Sequence, residues 1–211
     1  SSPFGFWGCV ASGIILASLF SFTPVFAEEN NLRVSMVMSL LIMGGALLQW
    51  PIGKLSDLGD RRLVLIALGL LTIIPSLAVS YFCCSNSIAV YLCCFLIGGL
   101  TFAVYPVSIS HVCDRVDHED IVSVTGLLLL AYSIGSVLGP VAASVYIREI
   151  SGSAEGLFSF ISIISLILAA YGGFATFKRA RVPEEDKGEF AVLPRQSPVV
   201  SELNPRGEEE E

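Results

Sequence analysis

Charge is what this sequence has least of. Lys, Arg, Asp and Glu make up only 15% of its 211 residues, against roughly 25% in an average globular chain. From Leu63 to Ser110 there is no charged residue at all. A soluble domain of this size has too much surface to cover with so few charges, which excludes a water-soluble enzyme. No basic face exists to neutralise phosphates, so nucleic acid is not an expected partner. The apolar runs hold no Asp, Glu or His at their centres, and they offer neither a Ser/His pair nor two aspartates at membrane depth. That argues against a membrane protease, and no catalytic residue is assigned. His111 and His118 sit seven residues apart, short of the three or four converging ligands a metal ion needs. No metal or other cofactor is expected.

What the sequence has is long apolar runs. Hydrophobic residues reach 54% and the mean hydropathy is +0.74. About 20 apolar residues in a helix cross a hydrocarbon core of roughly 30 Å. Six runs qualify, at about 6–27, 34–53, 63–83, 88–110, 121–147 and 156–177. Together they predict an all-α integral membrane domain over residues 1–177 with the bilayer as its medium. The first run ends in a faint imitation of a signal-peptide cleavage site, Val25-Phe26-Ala27, but lacks a basic leader and is too long for one. Ser85-Asn86-Ser87 is the only break between the third and fourth runs, which predicts a tight hairpin there. Pro24, Pro51, Pro75, Pro106 and Pro140 punctuate the first five runs. Membrane helices tolerate proline, and packed helices bearing it suit moving parts as well as a static anchor.

Residues 178–211 lose this pattern, gain four prolines and end in Glu208 to Glu211. Such a composition predicts a disordered acidic tail. Loops after the first, third and fifth runs hold only Arg33 and Arg148. Those after the second and fourth, with the start of the tail, hold Lys54, Arg61, Arg62, Arg115, Lys178, Arg179 and Arg181. This bias places the even loops and both termini in the cytoplasm of a multi-pass protein of the plasma (inner) membrane. Cys83-Cys84 and Cys93-Cys94 flank the outer hairpin; a disulfide across it is conceivable on an oxidising side, and small buried residues are the simpler reading.

The segment after the second run reads Gly53-Lys54-Leu55-Ser56-Asp57-Leu58-Gly59-Asp60-Arg61-Arg62. Physically it predicts a short two-signed loop in which Gly53 and Gly59 permit bends and Arg61 and Arg62 pair with carboxylates. This pattern resembles the signature between the second and third helices of each half of major facilitator superfamily transporters, G-x-L-(A/S)-D-x-x-(G/D)-R-(R/K). Gly44-Gly45-Ala46-Leu47-Leu48-Gln49-Trp50-Pro51, Phe102-Ala103-Val104-Tyr105-Pro106 and Ser133-Ile134-Gly135-Ser136-Val137-Leu138-Gly139-Pro140 agree with it, as does Phe190-Ala191-Val192-Leu193-Pro194-Arg195 in the tail. From about residue 3 to 206 the chain looks like the C-terminal half of the YcaD-like branch.

The resemblance implies a fold of two six-helix halves around a midplane site, of which this chain is one half, built as a 3+3 repeat. Function would be secondary transport of a small solute by alternating access, with a complementary half or a second copy as partner, and hydrophobic or amphiphilic efflux as the preferred direction. Gly53, Asp57, Arg61 and Arg62 would form a latch, with Asp114 or Asp117 pairing across the face and Arg115 beside them; Asp60 stands where glycine is more usual. Gly135, Gly139 and Pro140 resemble an antiporter motif (G-x-x-x-G-P-x-x-G-G), although Ala143 and Ser144 replace its last glycines, and plain helix packing explains them nearly as well. Polar side chains available to line a cavity are Thr72, Thr101, Tyr105, Tyr132 and Ser136, with Gln49, Ser108, Ser133 and Tyr171. The rival reading is a non-transporting six-span scaffold or truncated pseudotransporter.

Overall fold

The computed structural model describes residues 3–82, 86–116 and 120–178. The expectations for the acidic tail, Cys83, Cys84, Asp117 and His118 fall outside these. Six helices follow one another: α1 (Pro3–Glu29), α2 (Val34–Leu58), α3 (Arg61–Phe82), α4 (Ser87–Cys113), α5 (Ile121–Tyr146) and α6 (Gly156–Lys178). All six are long and apolar enough to cross a membrane. Inside hydrocarbon every backbone group must find a partner in its own segment, which is why runs this apolar become uninterrupted helices. Hydroxyls obey the same rule. Ser18, Thr72, Thr101 and Ser108 each donate to the carbonyl four residues back, at 2.7 Å.

The two three-helix segments exchange partners in the same way. Helix α1 lies along α5 while α4 lies along α2; α3 and α6 pack on each other, and α3 also packs on α4. Glycines set the closeness of both crossings. A Cβ at Gly44 would strike the Phe95 carbonyl, and one at Gly98 the Leu41 carbonyl. On the other crossing a Cβ at Gly139 would sit 2.5 Å from the Ile14 carbonyl oxygen. Phe26 and Phe158 meet edge to face, with ring centroids 4.8 Å apart, inside the largest apolar cluster.

Short caps join the elements. Asn86 accepts from the amides of Ile88 and Ala89 and starts α4, satisfying donors a helix N-terminus leaves open. At the far end α5 runs into a π turn, Ile147–Ser151, which Gly152 closes in the left-handed region at φ +69°. Glu29 at the end of α1 accepts from the amide of Ala154.

The expected loop at residues 53–62 is a correction. Helix α2 runs on through Leu58 and α3 begins at Arg61, so only Gly59 and Asp60 lie between helices. Neither glycine makes a special bend: Gly53 is buried within α2, and Gly59 is extended at φ −121°. Charged residues at a membrane surface read as loop in the sequence, yet a helix that projects beyond the hydrocarbon carries them equally well.

Candidate functional site

The charged residues of this junction converge on one arginine. Asp60 accepts from the amide of Arg62 at 3.0 Å and so caps the first turn of α3. That fixes Arg61 at the start of α3, four residues after Asp57 and across the break between the two helices. Arg61 Nη2 lies 3.1 Å from Asp57 Oδ1 on α2, and its Nε lies 3.2 Å from Asp114 Oδ2 at the end of α4. A single guanidinium thereby ties three helices at one end of the bundle. Arg61 is 3% exposed and Arg62 2%, so these charges are held away from solvent. A buried charge is tolerated only when paired and hydrogen-bonded.

Arg115 extends the cluster. Its Nη1 donates to the backbone carbonyl of His111 at 2.8 Å and lies 3.0 Å from Nδ1 of the His111 ring. Phe4 at the start of α1 meets His111 edge-on, with centroids 5.7 Å apart, and touches Tyr171 of α6 from the other side at 5.9 Å. Phe4 thereby links the ends of α1, α4 and α6 on this side, and the start of α5 packs on the end of α4 through Val124 and Leu128.

The structure brings together Asp57, Arg61, Asp114 and, next to them, Arg62 and Arg115. It places Gly53 in the interior of α2, away from any turn. Of the cavity candidates, Thr72 and Thr101 are each 1% exposed and donate their hydroxyls to the Leu68 and Ile97 carbonyls of their own helices, inside the six-helix unit. Tyr105 is also buried, its ring 4.8 Å from that of half-buried Tyr132. Ser136 is half-buried and donates to the Tyr132 carbonyl at 3.0 Å. Gly135 and Gly139 face Val10 and Ile14 of α1 across the close crossing, with Pro140 following. Ala143, in place of a motif glycine, is fully buried on the same side of α5.

Sequence reasoning missed the cap formed by Asp60, the pairing of His111 with Arg115 and the place of Phe4. The i, i+4 spacing of His111 and Arg115 was a legible signal for the second; nothing local marks Phe4.

Residues 5–205 match the family model for the Major Facilitator Superfamily. The uncharacterized MFS-type transporter YcaD of Escherichia coli strain UMN026 is 34% identical over 163 residues, covering 76% of this chain and 41% of that protein. Its counterpart in Shigella flexneri is 33% identical over the same extent. The chain therefore spans about two fifths of the length of these curated relatives, 41%. Among solved structures the POT family transporter PepTSo superposes with a TM-score of 0.72 at 12% identity, over 86% of this chain and 38% of that one. An auto-inhibited POT family peptide transporter gives 0.70 at 15% identity. At those identities the likeness concerns the fold alone. Six membrane-spanning helices paired as two exchanging triplets, with family and relatives in agreement, make this chain a member of the major facilitator superfamily, in the form of one six-helix half.

Proposed function

We propose that this chain works as half of a secondary transporter, moving a small, largely uncharged or amphiphilic solute by rocking against a complementary six-helix unit. The observation that carries this reading is the buried Arg61 tied to both Asp57 and Asp114. An ion pair that joins three helix ends at one membrane face breaks and forms as a unit, as a latch between two arrangements must. Two further features support it. Helices α2 and α5 have only 28% and 22% of their apolar windows buried, so they are the elements with most surface left for a second unit. The aromatic pair Tyr105 and Tyr132 gives the interior beside α5 an uncharged, weakly polar character. In this reading Gly135, Gly139 and Pro140 serve packing, and both termini face the cytoplasm.

Co-expression of the chain with the first half of a longer relative tests the proposal. Leu58, 80% exposed beside the latch, carries the probe as Leu58→Cys. A crosslink to cysteines scanned along the partner half, changing when Asp57→Asn loosens the latch, is the expected result. Crosslinks only between two copies of this chain would assign a homodimer instead, and no crosslink to any six-helix unit would remove the transport reading. The same probe reports sidedness: a membrane-impermeant maleimide added outside intact cells should miss Leu58→Cys and reach Ile150→Cys.

A further inference from the structure

We propose that the solute carries a planar, uncharged aromatic ring, which binds against Phe20 of α1 and Phe102 of α4. This names a substrate class for the transporter reading above and rests on it. Helices α1 and α4 lie side by side, flanked by α5 and α2, and are covered on one side by α6 and α3. Phe4 and Ala11 of α1 pack with Leu65, Leu68 and Leu168 on that covered side. At about 100° per residue, Phe20 stands some 160–180° around α1 from them. On α4, Ala103, Val104 and Val107 belong to the same covered cluster, and Phe102 stands about 150° from their mean direction. Both rings therefore face the side that α3 and α6 leave open.

Four rings line this side. Phe20 and Phe102 meet edge to face with centroids 6.0 Å apart. One turn along α4, Tyr105 pairs with Tyr132 of α5 at 4.8 Å. Phe20 is 39% exposed, Phe102 and Tyr132 are half-buried and Tyr105 is 4% exposed, so the cleft opens at Phe20 and closes on the tyrosine pair. A Cβ at Gly45 would come within 2.6 Å of the Phe102 ring; that ring rests directly on the α2 backbone, which holds it in place. All four lie within about 8 Å of the middle of their helices, the depth at which paired six-helix halves hold a solute. The chemistry of this wall selects the ring. An aromatic solute gains offset or edge-to-face contacts with Phe20 and Phe102 beyond its buried area. Helix α1 as far as Ala27, α2 as far as Gly53, and all of α4 and α5 hold no Lys, Arg, Asp or Glu. A carboxylate or ammonium would give up its water there with no counter-charge. Half-buried Gln49, one turn beyond Gly45 on the same side of α2, offers an amide to one neutral substituent.

The probe is 1-azidonaphthalene, a neutral aromatic photolabel, applied to membranes holding the full chain co-expressed with the first half of a longer relative. Mass spectrometry reads the label on the peptides carrying Phe20 and Phe102, with and without competitor. 2-Naphthol should displace it saturably. Decahydro-2-naphthol, the same skeleton without the planar ring, should compete about three- to tenfold less well. 2-Naphthoate, the same ring with a charge, should compete at least as poorly. Phe102→Leu should weaken 2-naphthol by the same three- to tenfold, about the worth of one aromatic contact. Phe20→Leu should do likewise, and its partly exposed position keeps the test open if the first variant fails to fold. Phe174→Leu, at a ring 60% exposed on α6, should change nothing. The Leu58→Cys crosslink in the same membranes reports pairing separately. Pairing accompanied by equal competition from all three compounds, or by none, overturns the aromatic class and leaves the transporter reading standing. Selective competition without pairing supports the aromatic site and overturns the transporter reading.

Discussion

Asp60 shows how one side chain sets the geometry of its neighbours. The superfamily signature usually has glycine there; here the carboxylate caps α3 and holds Arg61 at the first turn. Asp60→Ala should lower the stability of the folded chain by about 1 kcal/mol, whereas Asp60→Asn, which can still accept from the amide, should be nearly silent. Denaturant titration in detergent micelles would separate the two. Arg61 is the more demanding case, because it serves two carboxylates at once. Removing one partner of a buried pair leaves an uncompensated charge and costs about 3–5 kcal/mol. Arg61→Gln should therefore destabilise more than Asp114→Asn, since after the latter Asp57 still faces the guanidinium. The double variant Arg61→Gln with Asp114→Asn should recover part of the loss. If the three measured changes simply add, the two residues are not coupled in the folded state.

At the scale of the helices, packing is decided by where a methyl group fits. On α5, a Cβ at Gly135 would come within 3.1 Å of the Val10 carbonyl carbon, a backbone atom that cannot step aside. Gly126 on the same helix has nothing within 4 Å of that position. Gly135→Ala should thus cost about 1–3 kcal/mol by forcing α1 and α5 apart, while Gly126→Ala should stabilise by up to about 1 kcal/mol through helix propensity. Thermal unfolding of the two variants side by side would show opposite shifts. These elements also mark how far the sequence could be read. The six runs were legible because a bilayer demands continuous apolar helices, and no other medium permits 48 uncharged residues between Leu63 and Ser110. The pairing of Arg61 with Asp114 was legible only through the family pattern, since 53 positions separate the two residues. The surroundings of Thr72 and Thr101 were not legible for a different reason: a lone hydroxyl in an apolar run has the same sequence signature whether it faces a cavity or the carbonyl behind it. The extension of α2 to Leu58 was hidden because charge ends an apolar run without ending a helix.

For the whole molecule, exposure of α2 and α5 does not by itself call for a partner, because lipid tails cover leucine as well as another helix does. Association in a membrane is driven instead by close backbone approach and by polar contacts between helices. Helix α5 has the side chains for this on the side away from its glycine seam. Gly135 and Gly139 are buried against α1, while Gly126, Ser133, Val137 and Ser144 are exposed. Their spacings of seven, four and seven align them along one helical face. A stripe in which Gly126, Ser133 and Ser144 are small and Val137 is not, opposite a seam of glycines, lets α5 approach helices on both sides. Under the proposed pairing with a complementary half, Ser133→Leu should therefore weaken that pairing by about tenfold, a change of about 1.4 kcal/mol, and leave the six-helix unit itself folded, since the exposed Ser133 donates to the Leu129 carbonyl of its own helix. Leu138→Ala, on an exposed flank where bulk is already met by lipid, should change pairing little. Energy transfer between fluorophores on the two units, titrated by dilution into excess lipid, measures both. Equal weakening by the two variants would mean that α5 meets only lipid, and the pairing surface would then have to be sought on α2.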